Sequence, residues 1–137
     1  QEYLKRFSAE FRVELREIAP ARRVKNQNPA RYREEEGARL LAAIPDQALV
    51  IALEVGGQAW STETLAEKFM VWQGESVQPV FVVGGPDGLS ADVLKRARIR
   101  WSLSPLTFPH PFVRIILLEQ FYRAWTINKG HPYHRSE

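Results

Sequence analysis

A-L-V-I-A-L-E-V-G-G, residues 48–57, is apolar for six positions in a row and then turns to charge and glycine. A strand with one face in water alternates apolar and polar residues. An unbroken apolar run between turn signals therefore predicts a strand covered on both faces, as in a parallel sheet. P-V-F-V-V (79–83) repeats the pattern and runs directly into G-G-P-D-G-L (84–89). Between the two, Ser61 is placed to cap a helix through Leu65, Phe69 and Trp72, with Gly74 expected just beyond its end. Upstream, Asn28-Pro29 supplies a cap and a first-turn proline for a helix to about residue 44, with Leu40, Leu41 and Ile44 inward. Gly37 inside that helix costs about 1 kcal/mol relative to alanine, which points to close packing there. Residues 1–7 read as the end of a helix begun earlier, 11–18 as a half-exposed strand and 19–28 as a polar loop. Downstream, Ser90 is expected to cap a short helix to about residue 98, and residues 101–103 to form a short last strand.

Prolines 105, 109 and 111 exclude an ordinary helix interior after that strand. Helical spacing resumes over 112–128. It places Phe112, Ile115, Ile116, Tyr122 and Trp125 near one face, with Arg114 and Arg123 on others. The alternation of strands and helices predicts a single α/β domain over residues 1–137, with a mostly parallel sheet flanked by helices.

At 137 residues the chain suits one hydrophobic core. No segment has the roughly 18 apolar residues of a membrane span, and Q-E-Y-L-K-R (1–6) does not read as a signal peptide. There is no cysteine, which removes thiolate chemistry and disulfides and fits a reducing, cytoplasmic setting. The net charge is +3, but unevenly spread. Residues 20–33 hold Arg22, Arg23, Lys25, Arg31 and Arg33 without an acid. Residues 93–118 hold Lys95, Arg96, Arg98, Arg100 and Arg114 without an acid. Two such segments form either a polyanion-binding patch or two solvated faces.

In open α/β sheets, ligands bind beyond the carboxyl ends of the strands. Three strand ends carry suitable residues: 53–57, 84–88 and 103–108. They offer glycines, backbone amides and carbonyls, and small apolar side chains, which suits a neutral or zwitterionic ligand such as an adenosine derivative. Neither G-x-x-x-x-G-K-[ST] nor G-x-G-x-x-G is present, so a nucleoside triphosphate or Rossmann dinucleotide is not expected. G-G-P-D-G is otherwise a tight turn. Ser102, Ser104 and Thr107 lack a G-x-S-x-G elbow, and His131 and His134, split by a proline in the tail, make a poor metal site. No metal is expected. The tail H-P-Y-H-R (131–135) is either ordinary packing and solvated charge, or a site where arginine holds phosphate or carbonyl, Tyr133 stacks and His134 moves a proton.

V-V-G-G-P-D-G-L-S (82–90), W-S-L-S-P-L-T-F-P-H-P-F-V-R (101–114), E-Q-F-Y-R-A-W (119–125) and H-P-Y-H-R (131–135) together closely resemble the RlmH family. These are small bacterial methyltransferases of the SPOUT superfamily acting on 23S ribosomal RNA. The likeness extends upstream through L-E-V-G-G (53–57) to the start of the chain. It implies a SPOUT-type α/β fold with a C-terminal trefoil knot. It also implies a homodimer, S-adenosyl-L-methionine bound in the knot, and N3-methylpseudouridine in the ribosome's large-subunit RNA as product. Matched by motif, the cofactor positions are Leu53, Gly84, Gly85, Leu103, Ser104, Pro105, Leu106, Thr107 and Phe108. Tyr133, His134 and Arg135 would complete the active site, with Glu119 and Arg123 as further catalytic candidates. Arg22, Arg23, Lys25 and Arg114 would hold RNA, and the basic segments 20–33 and 95–100 would hold its phosphates with strongly salt-dependent binding. The family pattern also has a short apolar strand before the first helix, which this sequence does not contain.

The resemblance leaves the N3 proton with three acceptors: His134, Glu119 or solvent. Arg123 or Arg135 would stabilise charge on the flanking carbonyl oxygens. The competing readings are a knotted RNA-binding protein without activity, a SPOUT enzyme for another nucleotide, and a small-molecule enzyme on a flavodoxin-like sheet.

Overall fold

A computed structural model describes residues 28–84, 88–104 and 110–129. The order is α1 (Pro29–Ala43), β1 (Leu49–Ala59), α2 (Thr62–Gly74), β2 (Pro79–Val82), α3 (Ala91–Arg96), β3 (Ile99–Ser102) and α4 (His110–Asn128). The helix end expected over 1–7, the strand over 11–18 and most of the loop over 19–28 lie outside the described residues. The chain divides into two compact units: one holds the three strands with α1 and α3, the other α2 and α4 from Pro111 onward.

In the sheet unit both flanking strands run parallel to β1, in the order β2-β1-β3. This is the α/β architecture that the apolar run predicts. Val50 and Ile51 have no exposed surface although they face opposite sides of the sheet. On one side Val50, Ala52, Val82 and Val93 form a core with Leu40, Leu41, Ile44 and Leu94 packed against it. Each such aliphatic side chain contributes about 1.5–3 kcal/mol when fully buried. On the other side the rings of Phe81 and Trp101 meet edge to face, with centroids 5.7 Å apart.

The capping residues act as expected. Asn28 Oδ1 accepts from the Ala30 N–H at 2.7 Å, ahead of Pro29. Ser90 Oγ accepts from the Val93 N–H at 3.3 Å. A β-carbon at Gly37 would collide with Ser90 Oγ and stand 2.9 Å from Ser90 Cβ, so α1 lies directly on the capped start of α3.

In the sheet unit three boundaries differ from the sequence expectation by two residues or more. The first is the end of β1, which does not leave the sheet at residues 54–57. Leu53 and Gln58 both register with Trp101, and Ala59 pairs with Ser102, so the intervening residues form a bulge and the strand resumes beside β3. A β-carbon at Gly57 would be 2.6 Å from the Arg100 carbonyl carbon and oxygen, and only glycine allows that approach. The other two boundaries are set together. Helix α3 stops at Arg96 rather than near 98, and β3 begins at Ile99 rather than 101. The Arg98 N–H donates to the Val50 carbonyl at 3.0 Å, drawing these residues into the ladder.

In the helical unit, Ser61 Oγ accepts from the Thr64 N–H at 3.0 Å, the expected cap. Gly74 is the last helical residue, not the one beyond the end. The left-handed position is Ser76, with φ +56°. The Val77 N–H donates to the Trp72 carbonyl at 2.8 Å and the Ser76 N–H to the Gln73 carbonyl at 3.2 Å, the paired bonds of a Schellman ending. Helices α2 and α4 meet through Phe69 and Phe121, with centroids 5.5 Å apart. Thr62 Oγ1 donates to Gln120 Oε1 at 2.6 Å, and Asn128 Nδ2 to the Ala66 carbonyl at 3.0 Å.

The face expected for α4 is only partly the inward one: Tyr122 is buried, and Ile116 and Trp125 are half-buried. Leu117, Leu118, Phe121, Tyr122 and Ala124 are buried, whereas Phe112 and Ile115 are 55% and 52% exposed. The helix is apolar most of the way round, so its periodicity does not select one face.

Candidate functional site

Parallel registry decides which strand ends come together. Ala52 is level with Val82 on one side and Arg100 on the other. Leu53, Gly84 and the Leu103-Ser104 pair therefore lie at the same carboxyl edge of the sheet. Leu53 is half-buried where β1 enters its bulge. Gly84 lies two residues past β2, and a β-carbon on it would sit 2.7 Å from the Gly88 carbonyl carbon and 2.9 Å from the Leu89 nitrogen. The loop closes tightly there, with Gly88 at φ +84°. The buried Ser102 donates from Oγ to the Ser104 carbonyl at 2.9 Å, fixing the chain as it leaves β3. Gly85, Pro105, Leu106, Thr107 and Phe108 lie outside the described residues.

The edge carries no charged side chain at its candidate positions. It offers backbone donors and acceptors beside small apolar groups, with a glycine where the main chain is most crowded. Those features fit an adenosine-type ligand, which needs a flat apolar surface and hydrogen-bond partners along its rim.

A second set of candidates lies in the helical unit. Arg123 Nε donates to Glu119 Oε1 at 2.8 Å, one helical turn apart and partly shielded from solvent. Thr126 Oγ1 donates to the Arg123 carbonyl at 2.7 Å. Glu119 and Arg123 are separate candidates by motif, although their i,i+4 spacing is a legible pairing signal. Arg114 is half-buried on the same helix. Arg22, Arg23, Lys25, Tyr133, His134 and Arg135 lie outside the described residues.

The basic segment 95–100, expected to hold RNA phosphates, lies beside a hollow that the sequence does not show. A concavity of about 520 Å³ opens beside the β1 bulge, between residues 56–58 and the segment 94–100, with Lys95, Arg98 and Arg100 on its wall. Gly56 and Gly57 of the 53–57 strand end line it, but none of the cofactor positions matched by motif does. The basic run is plain in the sequence, but its division is not. Arg96 is turned away, donating to the carbonyls of Pro45, Asp46 and Ala48 at 3.4, 3.2 and 3.1 Å. Among the described residues, no cluster of three metal-ligating side chains occurs, and no helix is long and apolar enough to cross a membrane.

Residues 1–134 match the family model described as "Predicted SPOUT methyltransferase". Curated relatives carry the name Ribosomal RNA large subunit methyltransferase H. The protein of that name from Chromohalobacter salexigens is 54% identical over 134 residues, covering 98% of this chain and 86% of its own. Those from Methylococcus capsulatus and Pseudomonas aeruginosa are each 49% identical over 135 residues, covering 98% of this chain and 87% of theirs.

Proposed function

This chain belongs to the SPOUT methyltransferase family, and from that membership we propose that it methylates N3 of a pseudouridine in 23S ribosomal RNA, with S-adenosyl-L-methionine as donor. The observation that carries the reading is identity of about half the residues, over nearly the whole chain, to ribosomal RNA large subunit methyltransferases. The carboxyl edge of the sheet is the cofactor seat. Leu53, Gly84 and Leu103 supply its apolar walls and close backbone, and Ser104 a carbonyl held in place by Ser102. Gly85, Pro105, Leu106, Thr107 and Phe108 continue it by resemblance. The C-terminal trefoil knot belongs to the same reading, supported by membership in the SPOUT methyltransferase family.

When bound there, the cofactor supplies an electrophilic methyl group on a sulfonium. The protein's task is to hold the uridine ring in line and to accommodate its charge. The N3 lone pair becomes available once the N3–H is lost, and the carbonyls on either side then carry the negative charge. Arg123 stabilises that charge, and Glu119 positions it through the 2.8 Å ion pair. A carboxylate committed to a guanidinium is a poor proton acceptor, which leaves the proton to His134 or solvent; Tyr133 and Arg135 are the other tail candidates by resemblance. Single-turnover rates of His134→Ala across pH decide between these; an unchanged profile assigns the proton to solvent.

The reading includes a homodimer, supported by the exposed Phe112 and Ile115 on α4. It also includes a cytoplasmic location with the ribosome, and RNA contacts from Arg22, Arg23, Lys25 and Arg114. Transfer of a tritiated methyl to ribosomes, isolated subunits and naked RNA tests it. Label in one pseudouridine of 23S RNA is expected. Label in another nucleotide, or none, overturns it.

A further inference from the structure

The concavity beside the β1 bulge is a separate feature from the cofactor edge. We propose that it seats a phosphodiester group of the RNA backbone and so holds the substrate strand next to the site of methyl transfer. This rests on the reading of the chain as an RNA methyltransferase.

Four observations carry it. First, Lys95, Arg98 and Arg100 line one opening and all three are exposed, while the acid beside it, Glu54, stands against Gly56 and Arg100 only. Lys95 and Arg98 have no ion pair and no side-chain hydrogen bond among the described residues. Arg100 Nη1 reaches Glu54 Oε2 only at 3.9 Å, beyond hydrogen-bond distance. Second, the run is not a uniform solvated face. Arg96 is consumed by three backbone carbonyls, while its neighbours converge on the concavity. Third, the bulge provides a main-chain wall. Gly57 is pressed against the Arg100–Trp101 peptide, whereas a β-carbon at Gly56 would meet only Glu54 Oε1, at 3.8 Å, so the main chain is open there beside the carboxylate that Arg100 faces. Fourth, both walls lead to the proposed cofactor seat: Gly56 follows Leu53 by three residues, and Arg100 precedes Leu103 by three.

Inorganic phosphate shares the relevant chemistry with a nucleic-acid backbone. The concavity is wide and open to solvent, which suits a strand passing through rather than a small ion enclosed on all sides.

The test uses the full chain and the double variant Lys95→Gln/Arg98→Gln, which changes two solvent-accessible side chains and keeps the Arg100–Glu54 contact. Binding of an RNA fragment carrying the target helix is titrated over a range of salt concentrations. The variant is expected to bind about tenfold or more weakly at low salt, with the slope of log K against log salt reduced by about 1 to 2. Its KM for RNA should rise, while calorimetry gives an unchanged Kd for S-adenosylmethionine. Equal RNA affinity and equal slope in a wild type that transfers methyl overturn the phosphate seat and leave the enzymatic reading standing. A wild type that transfers no methyl, but whose RNA binding still weakens in the variant, does the reverse. Saturable binding of inorganic phosphate that is lost in the variant, with RNA binding unaffected, makes this a small-anion site and also overturns the proposal.

Discussion

The sheet unit and the helical unit carry their candidate chemistry on different parts of the chain. Around β1–β3 the useful groups are backbone: crowded glycines at 57 and 84, strand ends brought level by parallel registry, and a serine that fixes a carbonyl. In α4 they are side chains: a guanidinium and the carboxylate that orients it, on a helix whose main chain is occupied by its own ladder. A backbone site cannot be altered without deforming the fold that makes it. A side-chain site on a helix surface can be removed with little effect on stability. The two units should therefore separate activity from stability under mutation.

The largest effect is expected from Arg123→Ala. Methyl transfer should fall by about 10²–10³-fold, the range for losing one preorganised charge-stabilising donor. The melting temperature should move little, because a partly exposed i,i+4 pair is worth under about 1 kcal/mol. Single-turnover assays and thermal unfolding on the same sample check both. A loss of stability in proportion to activity would break the contrast. Next is Gly57→Ala, expected to cost about 2–3 kcal/mol because its β-carbon overlaps backbone that cannot rotate away. Gly56→Ala, one residue earlier, should be neutral to within about 0.5 kcal/mol. Denaturant titration of the pair isolates the close approach from the general cost of altering a loop.

A smaller effect, but with an informative sign, is expected at Gly37→Ala. Helix propensity alone favours alanine by about 1 kcal/mol. The collision with Ser90 opposes it by about 1–3 kcal/mol, so the net change should be destabilising by about 1 kcal/mol. A stabilised variant would show that α1 and α3 can part without penalty. The smallest is Ser76→Gly in the helical unit. Glycine adopts φ +56° freely, so this change should stabilise by about 0.5–1 kcal/mol in chemical unfolding and leave methyl transfer unchanged.

Features governed by bonds a few residues long are legible in the sequence itself. The caps Asn28, Ser61 and Ser90 each satisfy an amide two or three residues ahead, so the residue type and the apolar pattern behind it suffice. The apolar runs at 48–53 and 79–83 need only their own composition to predict parallel strands. The crowding at Gly37 is legible for a similar reason: a glycine that weakens its own helix implies a neighbour too close for a methyl group. The left-handed Ser76 is not legible, because Gly74, two residues earlier, is the more usual helix-ending residue. Leu53, Gly84, Leu103 and Ser104 can be named from sequence, but their meeting at one edge follows from registry.

What sequence alone determined, then, is the alternation of elements, their caps, the mostly parallel sheet and, through its motifs, the family resemblance. Tertiary structure alone decided that β1 continues past its glycines, because β3 offers the ladder that residues 58–59 join. It alone decided which side of α4 is buried, because a helix apolar all round takes its inward face from its neighbours. It also divided one basic run into an arginine held by carbonyls and three cations around a concavity. In each case the outcome depends on groups distant in sequence. Local pattern fixes what a residue can do, and the partner brought to it by the fold fixes what it does.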